Sequence, residues 1–543
     1  MARRSRRNRP RRLARAGAAV APLSALALAL SGCGDPVAVR GGPAPATSLS
    51  PTPPAQPSPQ LTPAQVTSAV GRLDGIVQDV MRQTGVPGVA VGVVHHGTVV
   101  YAKGFGVREV GRSAPVDPAT VFQLASLSKP LSSTVVAGAV GRKTVGWDDP
   151  VVTHDPGFAL KNSYVTANVT IADLFSHRSG LPDHAGDLLE DLGYSQDYIL
   201  HHLRLEPLAP FRASYAYTNY GLTEAGEAVA DAAGTPWSRL AADTLFRPLG
   251  MTHTSYRRAD YDSAADKASA HVEVDGHWKV STTENADRQA PAGGASSNVE
   301  DLTKWMRLQL DDGTFEGRRL VDATALNETR VPHIVSSPPR AAAGEPGFYG
   351  LGWNVGYDDG GAVRLSHSGA FDLGAATTIT LLPAEGLGIV VLTNGQPIGA
   401  PEAVAATFLD IARNGRQTVD WLPFYRQVVQ AAAYTGVSPT DYAKPPAHPA
   451  PAHAAAAYTG TYANDYYGPL TVTADPGGNL SMTLGPQTMS FPLTHYTGDT
   501  FSYRTQGENA VGLSGVTFHL RSGRATGVTV EHLDANKLGT FTR

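Results

Sequence analysis

The chain has 543 residues, 42% of them apolar and 8% aromatic, a composition suited to packed domains and a length beyond that of one ordinary domain. It carries 44 basic and 48 acidic residues; eight of the basic ones are arginines between Arg3 and Arg15, so without residues 1–32 the balance is 36 against 48, about −12. That charge makes nucleic acid a poor partner, and the single cysteine, Cys33, excludes an internal disulfide.

Residues 1–32 read as an export signal: the arginines are followed by an uncharged stretch, Ala16 to Leu30, too short for a comfortable membrane span. Leu30-Ser31-Gly32-Cys33 resembles the lipobox of bacterial lipoproteins, in which the cysteine is lipidated and becomes the new N-terminus. The expectation is an exported protein held to the outer side of the cell membrane through Cys33. Arg11-Arg12-Leu13 leaves open whether export is by the general or the twin-arginine route. Residues 33–60 then form a tether rich in Pro, Ser, Thr and Ala, which favours extended conformations of roughly 3.1 Å per residue.

Thr62-Pro63-Ala64-Gln65 predicts a capped helix start, and Val66, Val70, Leu73, Val77 and Val80 give one apolar face that ends at Gly85. Gly88 to Val94 and Thr98 to Phe105 read as strands joined across His95-His96-Gly97. Those histidines have no third ligand at a useful spacing, so no metal and no cofactor is expected. Next, Phe122 to Ala125 is extended and apolar and gives way to a helix-like run from Leu131 to Val140. Ser126 and Lys129 stand at that junction, one helical turn apart and on one face. A serine hydroxyl is a poor nucleophile until a base takes its proton, and lysine is such a base only when burial or neighbouring charge lowers its pKa.

Further on, Tyr217 and Asn219 form a Y-x-N pattern, and His367-Ser368-Gly369-Ala370 has a polar, small, glycine pattern fit for an edge strand lining a cleft. Thr377 to Leu382 and Leu387 to Leu392 form a second hairpin-like pair, followed by a helical pattern from Pro401 to Ala412. Both ends of residues 61–414 thus read as helix plus hairpin. This predicts an α+β fold with one antiparallel sheet built from both ends, flanked by helices, and a helical subdomain between them. There is no G-x-S-x-G for an α/β-hydrolase elbow and no H-E-x-x-H for a zinc peptidase.

The order S-x-x-K, Y-x-N, H-S-G resembles the serine β-lactamases and penicillin-recognising D-Ala-D-Ala peptidases, in particular their class C-like branch. Ile171 to Pro182, Pro248-Leu249-Gly250-Met251, Gly293-Gly294 before Asp301-Leu302, and Tyr349-Gly350-Leu351-Gly352-Trp353 agree with it. The resemblance implies a β-lactamase/transpeptidase-like fold and roles for single positions. Ser126 would be the acylated nucleophile, and Lys129 and Tyr217 would share the base's work, which of them holds the proton being left open. Asn219 would hold Lys129 and the substrate amide, and the N–H groups of Ser126 and Ala370 would form the oxyanion hole beside Ser368 and Gly369. In that family the stretch containing His177 is structural. His367 stands where β-lactamases have a lysine and gives a substrate carboxylate no permanent cation. The implied activity is hydrolysis of small amides or esters, as in D-Ala-D-Ala carboxypeptidases, D-aminopeptidases and esterases; a class C-like β-lactamase and a penicillin-binding sensor or surface binding protein without turnover are the alternatives.

Residues 415–453 hold a helical pattern, Pro423 to Ala433, and a Pro/Ala linker, Lys444 to Pro451. In 454–543, Leu470 to Thr473, Leu480 to Leu484 and Val516 to Leu520 alternate between Gly-rich turns, which predicts an antiparallel all-β module able to fold by itself. Tyr458-Thr459-Gly460-Thr461-Tyr462 with Tyr467-Gly468 looks like the lipocalin-like barrel appended to some of these hydrolases, here without a catalytic set.

Overall fold

The computed structural model describes residues 57–358, 360–433 and 437–543; the export signal, Cys33 and most of the tether lie outside the described residues. The described residues belong to one compact unit, Ala55–Arg543, and none of their helices is long and apolar enough to cross a membrane. The first helical pattern forms two helices, α1 (Pro63–Val70) and α2 (Leu73–Thr84). The expected cap is present: Thr62 Oγ1 accepts from the Gln65 N–H, and the Gln65 side chain accepts from the Thr62 N–H. The break falls at Gly71-Arg72, where a residue of low helix propensity meets a tight three-residue bond from the Arg72 N–H to the Ala69 carbonyl. It rotates the face, so that Ala69 is buried where Val70 was expected, alongside Val66, Leu73, Ile76, Val77 and Val80.

The chain then forms a hairpin of β1 (Gly88–His95) and β2 (Thr98–Gly106). Its two-residue turn places His96 at φ 47° and Gly97 at φ 72°, the left-handed pair whose twist matches that of the strands. Residues 107–333 supply the helical region, including α3 (Ser128–Gly141), α4 (Asn219–Ala232) and α5 (Val299–Leu310). Six strands follow: β3 (Ile334–Ser337), β4 (Gly347–Tyr349), β5 (Asn354–Tyr357), β6 (Val363–Phe371), β7 (Ala375–Leu382) and β8 (Leu387–Thr393), and then α6 (Ala400–Asn414). They complete an eight-stranded sheet in the order β2-β1-β8-β7-β6-β5-β4-β3, antiparallel throughout. The two ends of this region therefore meet where β1 pairs with β8, from Val89 opposite Thr393 to His95 opposite Leu387.

Both faces of this centre are covered, which is why β1 and β8 are nearly continuous apolar runs. Val89, Val91 and Val93 pack with Ile389 and Val391 against α1, α2 and α6 through Val66, Val77, Val404 and Phe408. Ala90, Val94, Val390 and Leu392 face the other side, where Leu302 and Trp305 of α5 and Leu131 and Val135 of α3 lie. One expectation changes in detail: β6, read as an edge strand, is fifth in the sheet. Its partner β5 pairs only with Val363 to Ser366, so from His367 onward β6 is bonded on one side alone, to β7. The cleft-lining segment is an edge locally because its neighbour is shorter.

After α7 (Trp421–Ala433), the C-terminal residues form two antiparallel sheets. Four strands, β9 (Gly460–Tyr462), β10 (Leu470–Ala474), β11 (Leu480–Leu484) and β12 (Met489–Pro492), make one. Five more, β13 (Thr494–Thr497), β14 (Thr500–Arg504), β15 (Leu513–Arg521), β16 (Arg524–Val530) and β17 (Thr540–Thr542), make the other. A bridge between Ala463 and Thr542 joins the first strand to the last, which gives the region its barrel-like closure. The packing joins this module to the rest of the chain in one compact unit. Tyr458, Tyr462, Tyr466 and Tyr467 belong to the same apolar core as Leu189, Leu192 and Tyr194 of the helical region. The seam is also pinned by polar contacts: the Tyr194 hydroxyl donates to the Tyr467 carbonyl (2.6 Å), and buried Glu206 accepts from the Tyr466 hydroxyl (2.5 Å) and from Asn536 (3.0 Å).

Candidate active site

Ser126 lies in the tight turn Ala125–Leu127 that leads into α3. The turn is anchored on the helical region by the Leu124 N–H to the Ala295 carbonyl, 2.9 Å, and by Phe122 and Gln123 pairing with Ser297 and Ser296. Ala125 adopts φ 48°, a left-handed conformation that costs a residue with a Cβ on the order of 1 kcal/mol. The surroundings hold it there: its side chain packs on Ala286, Phe371 and Ala375, and its carbonyl accepts the Ser128 hydroxyl at 2.6 Å. Ser128 Oγ also accepts from the Ala295 N–H at 2.9 Å, so Ser128 is a buried brace. Ser126, two residues earlier, is turned to the cleft.

Lys129 is fully buried, with Nζ 3.0 Å from Ser126 Oγ, 2.7 Å from Asn219 Oδ1 and 3.0 Å from the Ala292 carbonyl. Burial pulls the amine down to about 7, against the nearby charge of Asp187, which raises it. A neutral amine has two N–H donors and one lone pair. With the donors given to Asn219 and Ala292, the lone pair is directed at Ser126. The Tyr217 hydroxyl donates to Ser126 Oγ at 2.8 Å, and burial holds this phenol well above its ordinary pKa. Ser126 Oγ therefore sits between an amine able to accept a proton and a phenol that keeps its own. Gly352, of the Tyr349-to-Trp353 stretch, has φ 83° and lies against the Lys129 carbonyl, leaving no room for a Cβ.

Asn219 begins α4; its Nδ2 donates to Asp187 Oδ2 at 2.9 Å, which orients the amide with its oxygen toward Lys129. Tyr217 is held through its neighbours: the Thr218 N–H donates to His177 Nδ1 (3.2 Å), and the Ala216 N–H to the His177 carbonyl (3.0 Å). His177 thus supports the Tyr217 backbone. His367, expected among the catalytic side chains, lines the cleft with both nitrogens engaged. Nε2 accepts from the Tyr349 hydroxyl at 2.9 Å, and Nδ1–H donates to the Ser368 carbonyl at 2.7 Å. Burial, with the Lys129 charge adding to it, pulls His367 down to about 3, so the ring is neutral and serves to orient Tyr349.

The glycine of the third motif has a steric reason. A Cβ at Gly369 would collide with the Leu124 carbonyl and the Thr377 hydroxyl, so only glycine lets β6 close onto the turn that carries Ser126. Ser368 and Ala370, on the alternate face, line the cleft, a cavity of 350 Å³. Ser126 occupies the first turn of its helical segment, where backbone N–H groups lack an intrahelical carbonyl. The opposite wall contains residues that the sequence did not single out: His184, Asp187, Tyr215, Gln289, and Glu508 and Asn509 from the C-terminal region. The Glu508 carboxylate accepts from the N–H of Asp372 (2.6 Å) and Leu373 (3.2 Å), and Asp191 accepts from the N–H of Glu508 (3.0 Å) and Asn509 (3.1 Å). The Asp-His-x-x-Asp spacing from Asp183 to Asp187 was the one local signal for the first two of these. Glu508 had none, since the fold brings it in from far along the chain.

A family model described as Beta-lactamase matches residues 73–414, and one described as a domain of unknown function (DUF3471) matches residues 444–540. The chain is 26% identical over 477 residues to the unguisins hydrolase ungD of Aspergillus violaceofuscus, covering 80% of this chain and 82% of that protein. It is 25% identical over 346 residues to the protein flp of Staphylococcus aureus, covering 61% of this chain and 64% of that one. The octameric penicillin-binding protein homologue from Pyrococcus abyssi superposes with a TM-score of 0.56 at 19% identity, over 87% of this chain and 100% of its own. A class C beta lactamase from Rhodobacter sphaeroides gives 0.52 at 22%, over 63% and 98%. These two likenesses establish the β-lactamase/transpeptidase-like fold.

Proposed function

The chain belongs to the beta-lactamase family, and on that premise we propose that it is a serine hydrolase working through a Ser126 acyl-enzyme on small amides or esters, with D-amino-acid peptides as the favoured class. The observation that carries the reading is the bracketing of Ser126 Oγ by Lys129 Nζ at 3.0 Å and the Tyr217 hydroxyl at 2.8 Å. Lys129 takes the hydroxyl proton as Oγ bonds to the carbonyl carbon, and the Ser126 and Ala370 N–H groups receive the oxyanion. The proton then passes from Lys129 by way of the Tyr217 hydroxyl to the leaving nitrogen or oxygen as its bond to carbon breaks. Water hydrolyses the ester by the reverse transfers. The term hydrolase in the name of ungD agrees with this reading. Neutral His367 offers no cation to a substrate carboxylate, which favours amides and esters that do not depend on one over β-lactams.

Following the intact mass during incubation with a penicillin, and with D-amino-acid anilides and esters, tests the proposal. A transient adduct on Ser126 with product release is expected for the anilides or esters. An adduct that persists without product would make the protein a penicillin-binding sensor instead.

We further propose that the loop carrying Glu508 and Asn509 narrows the cleft and selects by size. Glu508→Ala removes its two bonds to the 372–373 turn and should raise kcat/KM severalfold for long peptides while leaving a small ester within about twofold; equal changes across both substrates would refute the filter. Anchoring through Cys33 belongs to the same proposal, supported by the lipobox-like Leu30-Ser31-Gly32-Cys33. Wild type should partition into detergent and Cys33→Ser into the aqueous phase, and wild type found wholly in the aqueous phase would overturn the anchor.

A further inference from the structure

On the cleft side of Lys129 runs a chain of four side chains, each touching the next. Lys129 Nζ lies 2.7 Å from Asn219 Oδ1, Asn219 Nδ2 donates to Asp187 Oδ2 at 2.9 Å, and the same Asp187 oxygen lies 2.8 Å from His184 Nδ1. Asp187 is buried, whereas the His184 side chain is half exposed at the cleft. The other carboxylate oxygen, Asp187 Oδ1, is buried with no hydrogen-bond partner among the described residues. The charge of Asp187 is therefore answered by His184 and the Asn219 amide, with nothing on its second oxygen to spread it further. His184 is fixed by its backbone too: its N–H donates to the Tyr217 carbonyl at 2.8 Å, and its own carbonyl accepts the Asp187 N–H at 3.1 Å. One short loop thus grips the backbone of one site residue and the side chain of another.

We propose that His184 and Asp187 form an ion-paired positioning couple that fixes the Asn219 amide and sets how readily Lys129 takes the Ser126 proton. An amide beside Lys129 is able to present either end. A carboxylate on its far side admits only the NH₂ end, so the oxygen must face Lys129. Were the amide reversed, its N–H groups would face the amine and one amine donor would lose its acceptor, freeing Lys129 to rotate its lone pair away from Ser126. The couple also acts through charge, since Asp187 favours the protonated amine and a protonated His184 opposes it. His184 is held in its protonated form below about pH 9. Although burial opposes this, the bond to Asp187 and its charge hold the imidazole up at about 9, with Asp183 adding to it. The other titratable groups facing Lys129 are Tyr217, whose ring lies 4.5 Å from Nζ, and the buried rings of His177 and His367, both held neutral.

The two members push Lys129 in opposite directions, which a purely structural role would not do. The inference rests on Lys129 as the base, and kcat/KM for a small ester, measured from pH 5 to 9, tests it. Asp187→Asn keeps an oxygen for Asn219 but removes the charge. It should move the acid limb down by up to about one pH unit, His184 giving up its proton with the charge that held it and so offsetting part of the shift, and lower the plateau several-fold, because a weaker base remains. His184→Gln should move the same limb up. As His184 is half exposed, this second variant keeps the test open even if Asp187→Asn folds poorly. An acid limb that stays put in both variants, or moves the same way in both, overturns the couple. A wild type with no acid limb would instead fail the assignment of Lys129, so the two failures are distinguishable.

Discussion

Replacing Ser126 by alanine is expected to abolish labelling by a fluorophosphonate and to lower kcat/KM by about 10⁶-fold, the scale on which nucleophile removal acts in serine hydrolases. The loss should be complete because no other hydroxyl is equipped to take over. Ser128 is spent on the Ala125 carbonyl and the Ala295 N–H, and the Ser368 hydroxyl donates to Thr378. The fold should survive. Among the described residues, Ser126 Oγ hydrogen-bonds with Lys129 and Tyr217, and alanine suits the same turn. Peptide mapping after labelling checks the assignment, and label recovered on Ser128 or Ser368 would falsify it.

Lys129→Met should be nearly as severe, with kcat/KM down by about 10⁴-fold and labelling slowed in proportion, since a general base contributes up to that factor. In wild type, activity should rise with pH through about 7, the value at which burial leaves the amine, and then level off. The same group makes stability depend on pH. Its folded pKa lies below the ordinary 10.5, so the unfolded chain binds the extra proton between the two values, and the fold gains stability as pH rises from about 7 toward 10.5. The Met variant lacks that gain. Urea unfolding at pH 7 and pH 9 should show the wild type strengthening relative to Lys129→Met, and parallel curves would mean that the amine is not desolvated as described.

How much of this was legible in the sequence differs by residue. Ser126 and Lys129 are one helical turn apart, and Tyr217 and Asn219 two residues apart, so each pair is a local pattern, and the fold joins the two pairs at Lys129 Nζ. The capping box at Thr62 is also local and formed as read, and the hairpin turn read across His95-His96-Gly97 formed one residue tighter, with His95 still in the strand. What was not legible depends on the distant chain. Asp187 draws its role from Asn219, and Glu508 reaches the 372–373 turn only because the C-terminal sheets share a core with the helical region. The same tyrosines that read as barrel residues became seam residues, because alternation reports which face is buried and is silent on what buries it. His367 was read as a catalytic candidate by position; only the surrounding partners reveal a neutral ring bonded on both sides.

The pairing of β1 with β8 also governs how the chain comes together in time. Val89 must wait for Thr393 before the sheet's centre can form. At synthesis rates of about 5–20 residues per second, the interval between them is roughly 15–60 s. For that period the β1–β2 hairpin presents an unpaired, strongly apolar strand, the kind of edge that recruits other chains. A sheet closed by its two ends is thus a slow, non-local folding problem. The burden of avoiding aggregation falls on whatever holds the first hairpin until the last strands arrive.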